Sequence, residues 1–461
     1  MLIEQTIDPA ELGELRDTFS GQIVAPGDGD YDQTRKVWNA MIDRRPAAIL
    51  RCADTSDVVE AVRFAREREL LTTVRGGGHN IAGLAVCDDG VMIDLSGMRR
   101  VDVDPTTRRA IVQGGATWTD VDQATQQHGL AVTGGHVGTT GVGGLTLGGG
   151  FGWLHGKHGL TSDNLISAEV VTADGRVLRA SEDENPDLFW GLRGGGGNFG
   201  VVTSFEFALH PVSDVFVGMF LFPRARGAEV LETYDAFVDT IPTEATSAMM
   251  LGTAPEGVDI FPPEIQGQEI SGGFVVYPGA TVEQGERLIA PIRALGPTFE
   301  MVQPFPYLGV QTLMDAAYEA DMHVYWKSGR IDSLGDGAAE AVVEASYAAS
   351  MSALIQLGGE IAQRPQDATA FAHRQARYQY LAVAQFDDPS ETDAQIAGAR
   401  KAFATVEPHI AGAFVNFLTT DDWDERTADA YGVEHSRRLA SIKKTYDPDN
   451  FFRMNANITP A

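Results

Sequence analysis

The sequence has only two cysteines, Cys52 and Cys87, in 461 residues. That is too few for a disulfide framework, and neither lies in a CxxC or Cys/His metal spacing, so buried structural thiols are expected. Lysine is almost as scarce: of 35 basic residues only Lys36, Lys157, Lys327, Lys401, Lys443 and Lys444 are Lys, against 64 acidic ones. A net charge of −29 repels phosphate backbones and anionic lipid, which argues against nucleic-acid and membrane partners. The acidic excess runs along the whole chain, as on a solvated surface suited to a high-salt interior, where the Debye length falls to ~3 Å at 1 M salt. No run approaches the ~20 consecutive apolar residues of a membrane span. Met1 to Gln5 contain no basic region leading into an apolar stretch, so a cytoplasmic address is expected.

What the sequence does contain is glycine, 51 residues in all, crowded into the first 210 positions. Four segments stand out: Arg75 to Gly83, Gly134 to Gly144, Gly148 to Gly152 and Gly194 to Gly200. Backbone bare of Cβ atoms lets consecutive amides close on an anionic ligand, and four such segments point to one large phosphorylated cofactor. None sits in the strand, GxGxxG, helix setting of a Rossmann unit, and no GxxxxGK[ST] loop occurs.

Local patterns predict an α+β chain. A helix is expected from Asp57 to Leu70, with Asp57 and Glu60 at capping-box spacing and Val58, Val59, Val62 and Ala65 on one side. Strands are expected at 71–74, 91–95 and 109–113, a helix at 119–128, and a hairpin at 168–180 turning on Asp174-Gly175. Beyond Pro211 the glycine clusters thin out. β-type stretches at 215–222 and 273–277 then alternate with a helix at 281–295, and a final helix is expected at 435–444. The organisation read from this is residues 1–211, a ligand-holding domain; 212–406, a second α+β domain; and 407–461, a segment returning to the first.

With these residues in view, the chain resembles the FAD-linked oxidases of the vanillyl-alcohol oxidase superfamily, in the berberine bridge enzyme-like branch. Arg75-Gly76-Gly77-Gly78-His79-Asn80, closed by Gly83, resembles the loop whose His is covalently attached to the flavin 8α-carbon. Val137-Gly138, Thr140-Gly141-Val142-Gly143-Gly144 and Gly148-Gly149-Gly150-Phe151-Gly152 resemble the cradle along pyrophosphate and isoalloxazine. Asp163-Asn164, Gly197 to Val202 with Gly200, and Asn455-Ala456-Asn457 resemble segments that wrap the rest of FAD. Tyr446 to Phe452 and Arg35 to Asn39, including Trp38, resemble the family's C- and N-terminal segments. The resemblance implies a two-lobed FAD-binding domain and an α+β substrate domain with a mainly antiparallel sheet.

A neutral imidazole flanked by glycine suits the nucleophile's role expected of His79; its alternative is a His that hydrogen-bonds a carbonyl. Many berberine bridge-like members add a second attachment through Cys, but here that position is Val137, so attachment through His79 alone is expected. On the substrate side, Tyr325 and Lys327 share one face of a strand and are candidates for proton transfer or flavin tuning, as are Glu360 and His373. The stretch that often carries tyrosines for proton abstraction has Phe414 and Phe417 instead, so the usual base is missing. His155 and His158 have an HxxH spacing without a third ligand, and no metal is expected. Asp421 to Glu425 reads as a solvated helix start. The implied activity is an oxidase, removing a hydride from a small alcohol, sugar or amine and passing electrons to O₂. Its alternatives are a same-fold dehydrogenase or an inactive flavin-binding protein.

Overall fold

The structure, a computed structural model, describes residues 7–257 and 261–461, excluding the side chains of residues 423–425; the Met1 to Gln5 stretch lies outside them. Three sheets carry the architecture, which is α+β. In the first, parallel strands Ala48–Arg51, Val91–Asp94 and Thr72–Arg75 lie side by side, with Gln22–Val24 antiparallel at the edge. The crossover between two of these strands is the helix Thr55–Glu67, which buries Val58, Ala61, Val62 and Ala65. Each apolar side chain of Val size so buried contributes roughly 1.5–3 kcal/mol.

That helix begins two residues before its expected start because Asp54, not Asp57, is the cap: its carboxylate accepts from the amides of Ser56 and Asp57. Asp57 is buried and accepts from the amides of Ser20 and Ala53 at 2.7 and 2.8 Å. The second sheet is antiparallel, in the order Val101–Asp104, Arg109–Gln113, Val201–Ala208, Leu165–Val171, Val177–Ser181, and Asp174-Gly175 joins the last two as its sequence requires.

The third sheet has eight antiparallel strands: Phe299–Pro306, Asp214–Pro223, Glu269–Pro278, Thr246–Thr253, Met351–Gln356, Tyr378–Phe386, His323–Ile331 and Ile410–Gly412, in that order. Its two faces separate by the alternation of side chains along a strand. Leu251, Leu354, Tyr380 and Ala382 pack with residues of the helices Gly227–Val238, Ala338–Ala345 and Thr392–Val406. Their neighbours Met250, Ile355, Leu381 and Val383 face the interior of the molecule, opposite the glycine segments.

The chain end then returns. Leu439 and Ile442 of the helix Val433–Tyr446, with Ala456 and Ile458, enter the core of the second sheet, and Phe451 and Phe452 that of the first. Lys443 fastens this return: its buried Nζ pairs with Asp447 at 2.6 Å and donates to the carbonyls of Asn198 at 2.7 Å and Phe452 at 2.9 Å.

Candidate active site

Between the glycine segments and the eight-stranded sheet lies a cavity of about 430 Å³. Its first wall is largely main chain: Gly76 to Asn80 beyond the strand Thr72–Arg75, then Gly135 to Val137, Thr140-Gly141 and Gly143 to Leu145, then Gly196-Gly197 and Gly200 to Val202, closed by Met454 to Ala456. Two loops meet here without side chains, for a Cβ on Gly77 would stand 2.5 Å from the backbone of Gly141. Gly144 and Gly197 are different: a Cβ on either meets nothing within 4 Å and would project where the cavity is open. Asn455 also borders this space; its amide donates to the carbonyls of Gly197 and Phe452, while its Oδ1 has no partner. A bare-backbone trough with an unsatisfied acceptor fits a large polar cofactor such as FAD.

His79 stands in this wall, stacked on the Trp38 indole with ring centroids 4.2 Å apart and with Nε2 3.3 Å from Thr139 Oγ1. Desolvation lowers its pKa to about 4, so the imidazole is neutral at physiological pH. Trp38, Gly76, Gly77, Gly78, Asn80, Val137, Thr140, Gly141, Gly143, Gly144, Gly200, Val202 and Asn455 line the same cavity.

The remaining expected cofactor residues stand behind this lining. Arg75 donates Nε–H to Asp94 at 2.9 Å and Nη1–H to the Lys36 carbonyl at 3.0 Å, which holds the loop to its sheet. Gly83 packs on Ile42, and the Gly138 amide donates to Asp315. Gly148, Gly149 and Gly152 leave room for Asn416, Phe371 and the Gly134 carbonyl, respectively. Asn164 braces the adjoining turn, donating to the carbonyls of His158 and Leu160 and pairing its Oδ1 with His210. Tyr446 packs against the core of the second sheet, and Asn457 lies outside the cavity lining. Nearby, the fully buried Arg374, in the loop before the strand Tyr378–Phe386, donates to both oxygens of the buried Asp163 carboxylate, tying the large sheet to the cradle.

The four residues expected on the substrate side do not reach the cavity. Tyr325 and Lys327 do share a strand face, but it is the one turned toward the helix Thr392–Val406. There the Tyr325 hydroxyl donates to Asp421 at 2.6 Å, and Lys327 pairs with Asp422. Burial first, and then the Asp421 hydrogen bond, raise the Tyr325 pKa, so its hydroxyl keeps its proton. Asp422 is itself buried and also holds Arg426, so the acidic stretch read as a solvated helix start is in part an internal ion-pair anchor. Glu360 pairs with Arg364, and His373 Nε2 donates to the Asp429 carbonyl at 2.8 Å. His155 Nδ1 donates to the Gly152 carbonyl, and His158 stacks on His210.

The strand residue between Tyr325 and Lys327, Trp326, is the one that faces the cavity, with Met250, Phe274, Ile355, Leu381 and Val383. His136, Trp153 and Asn416 also line the cavity between the glycine loops and this sheet. Sequence reasoning passed over all of them, although His136 sits inside the Gly134 to Gly144 segment.

Comparison with known proteins agrees with this geometry. The FAD binding domain family matches residues 46–181, and the family described as berberine and berberine like matches residues 413–459. The chain is 31% identical over 459 residues to an FAD-linked oxidoreductase of Dictyostelium discoideum, covering 97% of each chain. It is 30% identical over 457 residues to (R)-6-hydroxynicotine oxidase of Paenarthrobacter nicotinovorans, covering 96% of this chain and 97% of that one. The crystal structure of 6-hydroxy-D-nicotine oxidase from Arthrobacter nicotinovorans superposes with a TM-score of 0.85 at 28% identity, covering 96% of this chain and 98% of that one.

Proposed function

Since the chain belongs to the FAD-dependent oxidoreductases of the vanillyl-alcohol oxidase superfamily, in the berberine bridge enzyme-like branch, we propose that it is an oxidase holding FAD covalently through His79 alone. In this reading it takes a hydride from a small alcohol, sugar or amine and delivers the electrons to O₂. FAD, when bound, supplies the two-electron acceptor.

One observation carries the reading: a desolvated, neutral imidazole is fixed in the wall of a glycine-bared cavity, between Trp38 and Thr139. Stacking on Trp38 holds the ring plane, and the Thr139 hydroxyl meets Nε2; in the tautomer that donates Nε2–H to Thr139, Nδ1 carries the lone pair that the attachment needs. Gly144 and Gly197 leave the trough open for the cofactor body, and Asn455 offers it an acceptor. The apolar sheet opposite keeps water from the reacting centre. The hydroxynicotine oxidase relative is likewise named for oxidase activity.

The test is to bleach the purified yellow protein with dithionite under argon and then admit air. Recovery of the yellow colour within seconds is expected, whereas a flavin that stays bleached for minutes indicates a dehydrogenase with another acceptor.

A further inference from the structure

We propose that the substrate of this site is an uncharged, largely apolar alcohol whose hydroxyl proton passes to His136; this rests on the oxidase reading and narrows it.

The sheet side of the cavity carries Met250, Phe274, Trp326, Ile355 and Leu381, and among the described residues no Asp, Glu, Lys or Arg lines any part of the cavity. A sugar would bury several hydroxyls against this surface, each unmatched one costing roughly tenfold or more in affinity. An amine is an ammonium ion in water, and here it would meet no carboxylate. An apolar ring or chain with a single hydroxyl meets neither penalty.

That hydroxyl needs one polar partner. Asn416 already donates its amide to the Leu145 carbonyl at 3.1 Å. Tyr318 cannot take up the proton, because burial raises its pKa to about 12 and the phenol keeps its own. His79 is reserved for the cofactor. Trp153 Nε1, also without a partner, can only donate, so His136 is the lining group left to take up a proton; neither of its ring nitrogens has a hydrogen bond among the described residues. Its ring stands edge-on to Trp153, centroids 4.5 Å apart, and Trp153 packs on Phe274 of the sheet at 6.2 Å. The imidazole thus sits where the glycine loop meets the apolar wall.

The reaction balances as follows. The carbinol C–H bond breaks and its electron pair leaves as hydride to FAD. The O–H bonding pair becomes the second C–O bond, and the released proton goes to the unprotonated nitrogen of His136, leaving a ketone or aldehyde. Burial, and next the neighbouring His155, lower the His136 pKa to about 3, so the ring rests neutral with one nitrogen unprotonated. His155 lies beyond the Phe151 ring and is itself neutral, with its pKa lowered to about 4 by burial.

The experiment titrates the yellow holoprotein with acetophenone, menthone, benzylamine and D-glucose, following the visible flavin band and Trp fluorescence. It then adds 1-phenylethanol or menthol without oxygen. At least one ketone is expected to saturate at concentrations about tenfold or more below benzylamine and glucose, and its alcohol to bleach the flavin. His136→Gln should bind that ketone within about threefold of wild type but bleach about 10²- to 10⁴-fold more slowly. Tighter binding of glucose or benzylamine, indifference to both ketones, or an unchanged bleaching rate in the variant would overturn the proposal. If the variant does not fold, the wild-type ligand order still decides the substrate class. Protein that stays colourless with added FAD would instead refute the cofactor reading beneath it.

Discussion

Trp38 lies against His79 with their ring planes 15° from parallel, and its indole Nε1 donates to the Tyr318 carbonyl at 3.0 Å. The pair is held from two directions, by the stack and by a main-chain anchor some 280 residues away in sequence. Removing the indole admits water to the imidazole, so its pKa climbs from about 4 toward the ordinary value. Trp38→Ala is expected to cut the share of flavin that survives acid precipitation, while Trp38→Phe retains most of it. Equal retention in both would show that the stack does not position His79.

The glycines of the cradle divide into two kinds, and the division is measurable. Gly77→Ala forces backbone against backbone at Gly141 and should lower the apoprotein's Tm. Gly144→Val meets open cavity within the helix Val142–Leu147, so the apoprotein should keep its Tm within a few degrees while FAD affinity falls about tenfold or more. Thermal melts with and without FAD separate the two outcomes, and normal FAD uptake by Gly144→Val would contradict this account of the trough.

Asp122 is buried, with one carboxylate oxygen accepting from Gln311 Nε2 at 2.9 Å and the other unpartnered. Burial raises its pKa to about 7, above an unfolded value near 3.8. The folded state therefore binds the extra proton between these values. The stability this contributes is complete below the unfolded pKa and is lost as pH rises through about 7, roughly 4 kcal/mol in all. Asp122→Asn should flatten this slope and raise stability at pH 8, as read by urea unfolding across pH. An unchanged slope would assign the pH dependence to other groups.

The charge of −29 makes a second solution prediction. Raising KCl from about 0.1 M to about 2 M should raise Tm, because screening of the net repulsion outweighs the loss of weak surface ion pairs. A falling Tm would contradict adaptation to a saline interior.

How much of this was legible in the sequence differs between the two walls of the cavity. Glycine and turn chemistry act locally, so the loop around His79, the strand Arg109–Gln113 and the Asp174-Gly175 turn could be read directly. Alternation put Tyr325 and Lys327 on one face correctly, but alternation is blind to which face meets a cavity. That was decided by Asp421 and Asp422, nearly a hundred residues later. The apolar wall from Met250 to Leu381 is assembled from separate strands whose pairing leaves no local mark. His136 does carry a local signal, its place inside the Gly134 to Gly144 segment.

Acid precipitation of the purified protein, followed by proteolysis and mass mapping of the pellet, shows whether FAD is bonded to His79. A yellow pellet is expected, with the flavin mass on the peptide that contains His79 and absent from His79→Ala. A colourless pellet beneath a yellow supernatant, or flavin on another peptide, would contradict that attachment.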